Sequence, residues 1–225
     1  MVLWDGDARW HSLPSTASSL SRLMSKMPVN TRLVYMSVQP ARARELQSVA
    51  KKRKICLSRP SSLRRGLRFA YPSLGEDRRW NLIAGRFKTK RAFAVMDCGS
   101  AVTVDFVNSS GKHLGGWIWP GTTMMRDLLH LKTAQLPLLS KEPLKKGLGR
   151  STRDSILVAP IHALEAFHAY VRKYLQRSLG SGARLFLTGG DSRLLLPSSR
   201  FDPYMGLKAL KRVDQERLQK RGGRL

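Results

Sequence analysis

Three short stretches of the sequence bring together residue types that could do chemistry. In the first, an apolar run, Ala92-Phe93-Ala94-Val95-Met96, ends at Asp97, and a turn of small residues, Cys98-Gly99-Ser100, leads into a second β-like run at Val102, Thr103 and Val104. This is the pattern of a hairpin with a carboxylate at its bend. Gly99 allows backbone to approach a ligand closely, turn N–H groups beside the Ser100 hydroxyl can cradle a phosphate, and Asp97 can hold a cation. Such a bend suits nucleotide chemistry. In the second stretch, Tyr71-Pro72-Ser73-Leu74-Gly75-Glu76-Asp77-Arg78, a carboxylate stands in a loop ahead of a helical pattern containing Trp80 and Leu82. Asp77 there can orient an alcohol and Arg78 can pair bidentately with a carboxylate; equally, Asp77 can simply cap the helix. In the third, the strand-like Arg184-Leu185-Phe186-Leu187 ends in Thr188-Gly189-Gly190-Asp191, where glycines let a base and ribose lie against backbone.

These stretches need elements to hold them. Val104, Phe106 and Val107 continue the second strand, Asn108-Ser109-Ser110-Gly111 makes another turn, and Gly115-Gly116-Trp117-Ile118-Trp119-Pro120-Gly121 ends a third strand, so a three-stranded meander is expected. Met124, Met125, Leu128, Leu129 and Leu131 then predict an amphipathic helix over 122–131, and 161–179 is the longest helical pattern, with Ile161, Leu164, Phe167, Val171, Tyr174 and Leu175 on one face. Upstream, Val2-Leu3-Trp4 runs into the turn signal Asp5-Gly6-Asp7 like a hairpin cut short. A short helix is expected over 15–27, a strand over 32–38, a helix from Pro40 through Val49 and a strand at Ile55-Cys56-Leu57. This alternation predicts an α/β protein, with an N-terminal domain over 1–91 and a C-terminal domain over 92–225 that ends in a mobile basic tail.

The first stretch, DCGSAVTVD followed by GGWIWPG, resembles the second phosphate-site motif of the type III pantothenate kinases, Asp-x-Gly-Thr-Ala-x-Thr-x-Asp with Gly-Gly-x-Ile-x-Pro-Gly; Ser100 replaces the threonine and keeps its hydroxyl. The tyrosine and proline before Leu74-Gly75-Glu76-Asp77-Arg78, the segment Thr133-Ala134-Gln135-Leu136-Pro137 and the turn Thr188-Gly189-Gly190-Asp191 match the same family in the same order, and the resemblance runs from about Val2 to Leu210. It implies two stacked ribonuclease-H-like domains of the actin-like ATPase superfamily, with ATP held between them, and phosphorylation of pantothenate to 4′-phosphopantothenate. By the same resemblance Asp77 takes the proton from the pantothenate hydroxyl, Tyr71, Gly75, Glu76, Arg78 and Thr152 bind pantothenate, and Ser100 binds ATP. Mg²⁺ would bridge the phosphates, a monovalent cation such as K⁺ would lie near Asp97, and the protein would be a homodimer. The same stretch also reads as an ordinary helix N-cap, with Ser151 or Thr152 opening the helix. The family's Ala-Ile-x-x-Gly after this point is replaced by Ser155-Ile156-Leu157-Val158-Ala159-Pro160.

One family motif has no counterpart. The first strand of these enzymes carries Asp-x-Gly-Asn-Thr-x-x-Lys, the first phosphate loop, and the expectation is either a start assigned too far downstream or a reduced member of the family with a binding or regulatory role. The first domain is accordingly expected to be N-terminally truncated.

Composition bounds the rest. With 225 residues, 42% of them hydrophobic, the chain can bury a substantial core, and no apolar run approaches the roughly 20 residues that cross a bilayer. Neither a basic-then-apolar leader nor a Cys framework is present: Cys56 and Cys98 show no CxxC or Cys/His spacing, so a reduced, cytoplasmic location is expected. His162 and His168 lack carboxylates at metal-ligand spacing. The net charge of +26 stands apart; 41–70 holds ten Lys and Arg against Glu45 alone. Without aromatic interleaving, zinc-finger spacing or a helix-turn-helix pattern, it predicts a solvated basic face and non-specific association at low salt rather than specific nucleic-acid recognition.

Overall fold

A computed structural model of the chain describes residues 2–4, 10–12, 22, 24–28, 31–37, 40–61, 65–140, 142–196 and 201–222. They form a mixed α/β structure with two four-stranded sheets, divided into two compact units: residues 1–65, 71–84 and 206–225, and residues 66–70 with 85–205. This interleaved division differs from the linear 1–91 and 92–225 at 66–70 and 85–91, which fall in the second unit, and at 206–225, which falls in the first.

In the first unit the strands are β1 (Val2–Trp4), β2 (Trp10–Ser12), β3 (Arg32–Val34) and β4 (Cys56–Ser58), ordered β2-β1-β3-β4. β1 and β2 form the expected antiparallel pair, Val2 opposite Ser12; the turn signal Asp5-Gly6-Asp7 lies outside the described residues, as does most of the helix expected over 15–27. Helix α1 (Pro40–Lys52) crosses from β3 to the parallel β4. It does so because Ala43, Leu46 and Ala50 repeat at helical spacing and bury against Met24, Leu33, Tyr35 and Ile55.

Helix α2 (Glu76–Lys88) begins in the first unit and ends in the second. The second unit is built on β5 (Phe93–Cys98), β6 (Ala101–Val107), β7 (His113–Pro120) and β8 (Arg184–Thr188), ordered β7-β6-β5-β8. β5 to β7 are the expected meander, while β8 lies parallel to β5 with Asp97 level with Thr188. β5 is central and buried on both faces from Phe93 to Met96, which is why it reads as a continuous apolar run rather than an alternation. Helix α4 (Thr152–Leu179) covers the sheet through Leu164, Val171 and Leu175; it starts nine residues before the apolar pattern does and continues through Pro160.

Helix α3 (Thr122–Lys132) occupies the expected span with an unexpected inner face. Met124, Leu128, Leu129 and Leu131 are exposed, and the buried members are Thr122 and Arg126. The Arg126 guanidinium donates to the carbonyls of Thr122, Leu139 and Glu142 at 3.2, 2.8 and 2.7 Å, so burial here is set by satisfying a charged fork, not by hydrophobicity.

The basic C-terminal stretch expected as a mobile tail is helical: α5 (Met205–Gly222) packs with the first unit. Asp214, 1% exposed, accepts from Arg32 at 3.0 and 2.7 Å and from the Ser58 hydroxyl at 2.6 Å. Burial pushes its pKa up, but the bonds from Arg32 and Ser58 and the Arg32 charge outweigh that and hold it below the ordinary 3.8. A carboxylate with a depressed folded pKa stabilises the fold above its unfolded pKa and loses that contribution as pH falls through the folded value. Asp214→Asn should therefore lower stability at pH 7 by about 2 kcal/mol, the discount reflecting the exposed side of Arg32, and flatten the loss of stability below about pH 4. Thermal unfolding of both proteins from pH 7 to pH 2.5 checks it; parallel curves would rule the pair out as a clamp.

Candidate functional site

The segment from Tyr71 reaches α2 through a turn, Leu74 N–H donating to Tyr71 C=O at 3.4 Å, with Leu74 and Trp80 buried beneath. Gly75 precedes the helix, and Glu76 and Asp77 fill its first turn, where two carboxylates suit the positive end of the helix dipole. Asp77 thus lies inside the helix rather than ahead of it. Its Oδ1 accepts the Arg78 N–H at 2.8 Å, and Oδ2 has no partner among the described residues. One oxygen holds the side chain; the other is available to a donor. Glu76 is engaged: it takes a 2.6 Å ion pair from Arg59 and the Ser37 N–H at 3.2 Å, and its hydrogen bond raises the Arg59 pKa further.

Beside this turn lies a bowl of about 430 Å³ whose walls include Arg59, Ser61, Pro72, Ser73, Glu76 and Arg79. Of the residues singled out in the sequence for pantothenate, Glu76 alone lines it. Tyr71, Gly75 and Asp77 are half-buried outside its walls, and Arg78 is 9% exposed. Arg59, which falls in the basic stretch 41–70, and Arg79, which no sequence motif singles out, face it instead; Arg79 is held by the Pro72 carbonyl.

The second unit gathers three segments at the carboxyl ends of the neighbouring parallel strands β5 and β8, the place where open α/β sheets leave room for a ligand. The Cys98-Gly99-Ser100 bend is closed by Gly99 N–H to Ala101 C=O at 3.2 Å, and Ser100 is exposed with its hydroxyl unbonded among the described residues. Gly121 donates to the Ser100 carbonyl at 3.1 Å, so close that a Cβ there would strike the carbonyls of Gly99 and Ser100. From the third segment, Gly189 has φ +87° and sits directly against Asp97 Oδ1 and the Cys98 carbonyl. Asp191 accepts the Thr122 hydroxyl at 2.7 Å, tying the start of α3 to the glycine turn. Burial pushes the Cys98 thiol up to about 12, which leaves it a core residue rather than a nucleophile.

Two features of this unit escaped the sequence reading. Thr122 and Asp191 are 69 residues apart, and no local pattern signals their bond. Asp105, the last aspartate of the DCGSAVTVD stretch, is 3% exposed and bonds His113 Nε2 at 2.8 Å, while His113 Nδ1 lies 3.3 Å from the Ala70 N–H. Strand alternation puts Asp105 on the face opposite Val102, Val104 and Phe106, so no local pattern signals its burial or its partner.

Thr152 is exposed at the first position of α4, and the cap is Ser151, whose hydroxyl accepts the Asp154 N–H at 3.0 Å. The Thr152 hydroxyl therefore has no part in capping the start of the helix. Tyr71 to Arg78 belong to the first unit and Asp97, Ser100 and Thr152 to the second.

A family model described as type III pantothenate kinase matches residues 5–172. Similar proteins of that description come from Marinobacter nauticus (39% identical over 137 residues, 60% of this chain and 56% of the relative), Ectopseudomonas mendocina (37%, 56% and 52%) and Alcanivorax borkumensis (35%, 66% and 62%). The chain thus spans little more than half the length of these relatives. A solved structure described as a conserved Baf family transcriptional activator from Campylobacter jejuni superimposes with a TM-score of 0.58 over 94% of this chain and 92% of that one, at 16% identity, a likeness of fold.

Proposed function

The chain belongs to the type III pantothenate kinase family, and from that premise we propose that it transfers the γ-phosphoryl group of ATP to the hydroxyl of pantothenate, giving 4′-phosphopantothenate for coenzyme A biosynthesis. The framework in this reading is a pair of stacked ribonuclease-H-like domains of the actin-like ATPase superfamily. The observation that carries it is the meeting of Ser100, Gly121 and Gly189 at the carboxyl ends of β5 and β8, where glycines leave backbone bare beside a hydroxyl and a carboxylate. That combination suits a phosphate and its cation better than an apolar ligand.

In this reading Ser100 and the bare backbone around it receive the ATP phosphates, and the Gly189 turn takes the nucleoside. Pantothenate is held by Tyr71, Gly75, Glu76, Arg78 and Thr152. Asp77 Oδ2 accepts the hydroxyl proton as the new oxygen–phosphorus bond forms and the bond to ADP breaks, an in-line transfer governed by positioning and charge neutralisation. A single carboxylate beside bare backbone at this bend suits a cation held jointly with the nucleotide's own oxygens, the usual manner of Mg²⁺. Asp97 is the side chain that would hold it, or a neighbouring K⁺, and bound Mg²⁺ would supply charge neutralisation at the phosphates.

The protein acts as a homodimer in this reading, and no described helix is long and apolar enough to cross a membrane. The test is purified protein with pantothenate, ATP, Mg²⁺ and K⁺, followed by mass spectrometry for 4′-phosphopantothenate. No product at any ATP concentration overturns the proposal, and calorimetric heat from pantothenate without heat from ATP would identify a binding-only homologue.

A further inference from the structure

The kinase reading leaves the net charge of +26 without a use. In the first unit one ridge carries five of these cations close together. Arg44, Lys51, Lys52, Arg53 and Lys54 are all exposed, and none has a carboxylate partner among the described residues. Arg44 and Lys51 lie on the same side of α1, about 10 Å apart by helix rise, and Lys52, Arg53 and Lys54 extend the ridge through the following turn. One or two cations in a last turn would satisfy the helix dipole. Four in sequence there, with Arg44 two turns back, go beyond that.

The turn itself adds an independent observation. Lys54 has φ +52°, and among the described residues it is the one non-glycine in the left-handed region. At the end of a helix that conformation is ordinarily given to glycine. Here a cation occupies it and continues the line of charge.

We propose that this ridge, Arg44 with residues 51–54, is a docking surface for the phosphate backbone of duplex nucleic acid, bound without sequence preference. A duplex carries a phosphate charge every 1.7 Å or so of axis, which a line of unpaired cations about 10–15 Å long can follow. The apolar face of α1, Ala43, Leu46 and Ala50, is buried in the core, so the helix has nothing to insert into a lipid surface. No exposed aromatic side chain lies on the ridge to stack single-stranded bases.

Whole protein is titrated into a fluorescein-labelled 20-base-pair duplex of mixed sequence, with anisotropy read from 50 to 200 mM NaCl. The variant R44Q/K51Q/K52Q/R53Q is compared with a charge-matched control, K132Q/R172Q/K173Q/R177Q, and thermal midpoints confirm that both fold. Each ridge cation that meets a phosphate contributes about 0.9 to the slope of log Kd against log salt, so the ridge variant should lose about 3 to 4 from it and the control less than about 1. The wild-type Kd should then rise about a hundredfold more than the ridge variant's across that range. Equal loss in both variants means affinity follows net charge alone and overturns the proposal. So do absence of duplex binding at 50 mM salt, tighter binding to the single strand, and binding to phosphatidylserine vesicles in place of the duplex.

Discussion

Asp77→Asn is expected to lower pantothenate phosphorylation by about two to four orders of magnitude while leaving pantothenate affinity within a few-fold. The asparagine carbonyl can keep the 2.8 Å bond from the Arg78 N–H that Oδ1 now accepts, so the first turn of α2 stays intact. What changes is the other oxygen, which becomes an amide nitrogen and cannot take a proton. Calorimetry with pantothenate, a coupled assay for ADP and a thermal melt separate binding, turnover and stability. A variant that turns over at the unmutated rate would reduce Asp77 to a helix-start residue and remove it from the chemistry.

Gly189→Ala is expected to weaken ATP binding at least tenfold and to lower the thermal midpoint by about 5–10 °C. Two costs add at this position. An alanine at φ +87° is unfavourable by about 1–2 kcal/mol. Its Cβ would also enter the space of Asp97 Oδ1 and the Cys98 carbonyl, and the carbonyl cannot turn aside because β5 is paired on both edges. The glycine turn must move away from the bend, opening the place proposed for the nucleotide. Pantothenate affinity should change little, since Tyr71 to Arg78 belong to the other unit and Thr152, in this one, stands on a separate segment at the start of α4. Gly190→Ala is the internal control: nothing lies within 4 Å of a Cβ there and its φ is not left-handed, so its midpoint should stay within about 2 °C. If both alanines behave alike, the close approach of Gly189 is not what holds the bend.

Much of the framework is legible along the chain because it is local. The meander from Phe93 to Pro120 follows from apolar runs joined by Cys98-Gly99-Ser100 and Asn108-Ser109-Ser110-Gly111, and α1 follows from the spacing of Ala43, Leu46 and Ala50. Family membership is legible for the same reason, its motifs being short unbroken runs of four to nine residues. The amphipathic pattern of α3 misled because a helical period reports which residues share a face and not which face is covered. Arg126 took the inner side once the carbonyls of Leu139 and Glu142 were there to receive it.

Helix boundaries divide in a similar way. Ser151 as the cap of α4 was one of two local choices, and backbone geometry alone selected it, leaving the Thr152 hydroxyl unused. The C-terminal stretch reads as a basic tail because its anchor, Asp214, has partners at Arg32 and Ser58 that lie 182 and 156 residues away.

The residue types at the candidate site, an aspartate and a hydroxyl beside glycine, a second aspartate at a helix start and a strand ending in two glycines, are properties of the amino-acid order. Their assembly is not. Asp97 meets Gly189, and Thr122 meets Asp191, because β8 pairs in parallel with β5 after a crossover of some 85 residues, and the register of that pairing comes from burying Leu187 with Met96 and Ala94 in one core. Pairing over such a separation depends on the packing of the whole unit, which no local period in the sequence encodes.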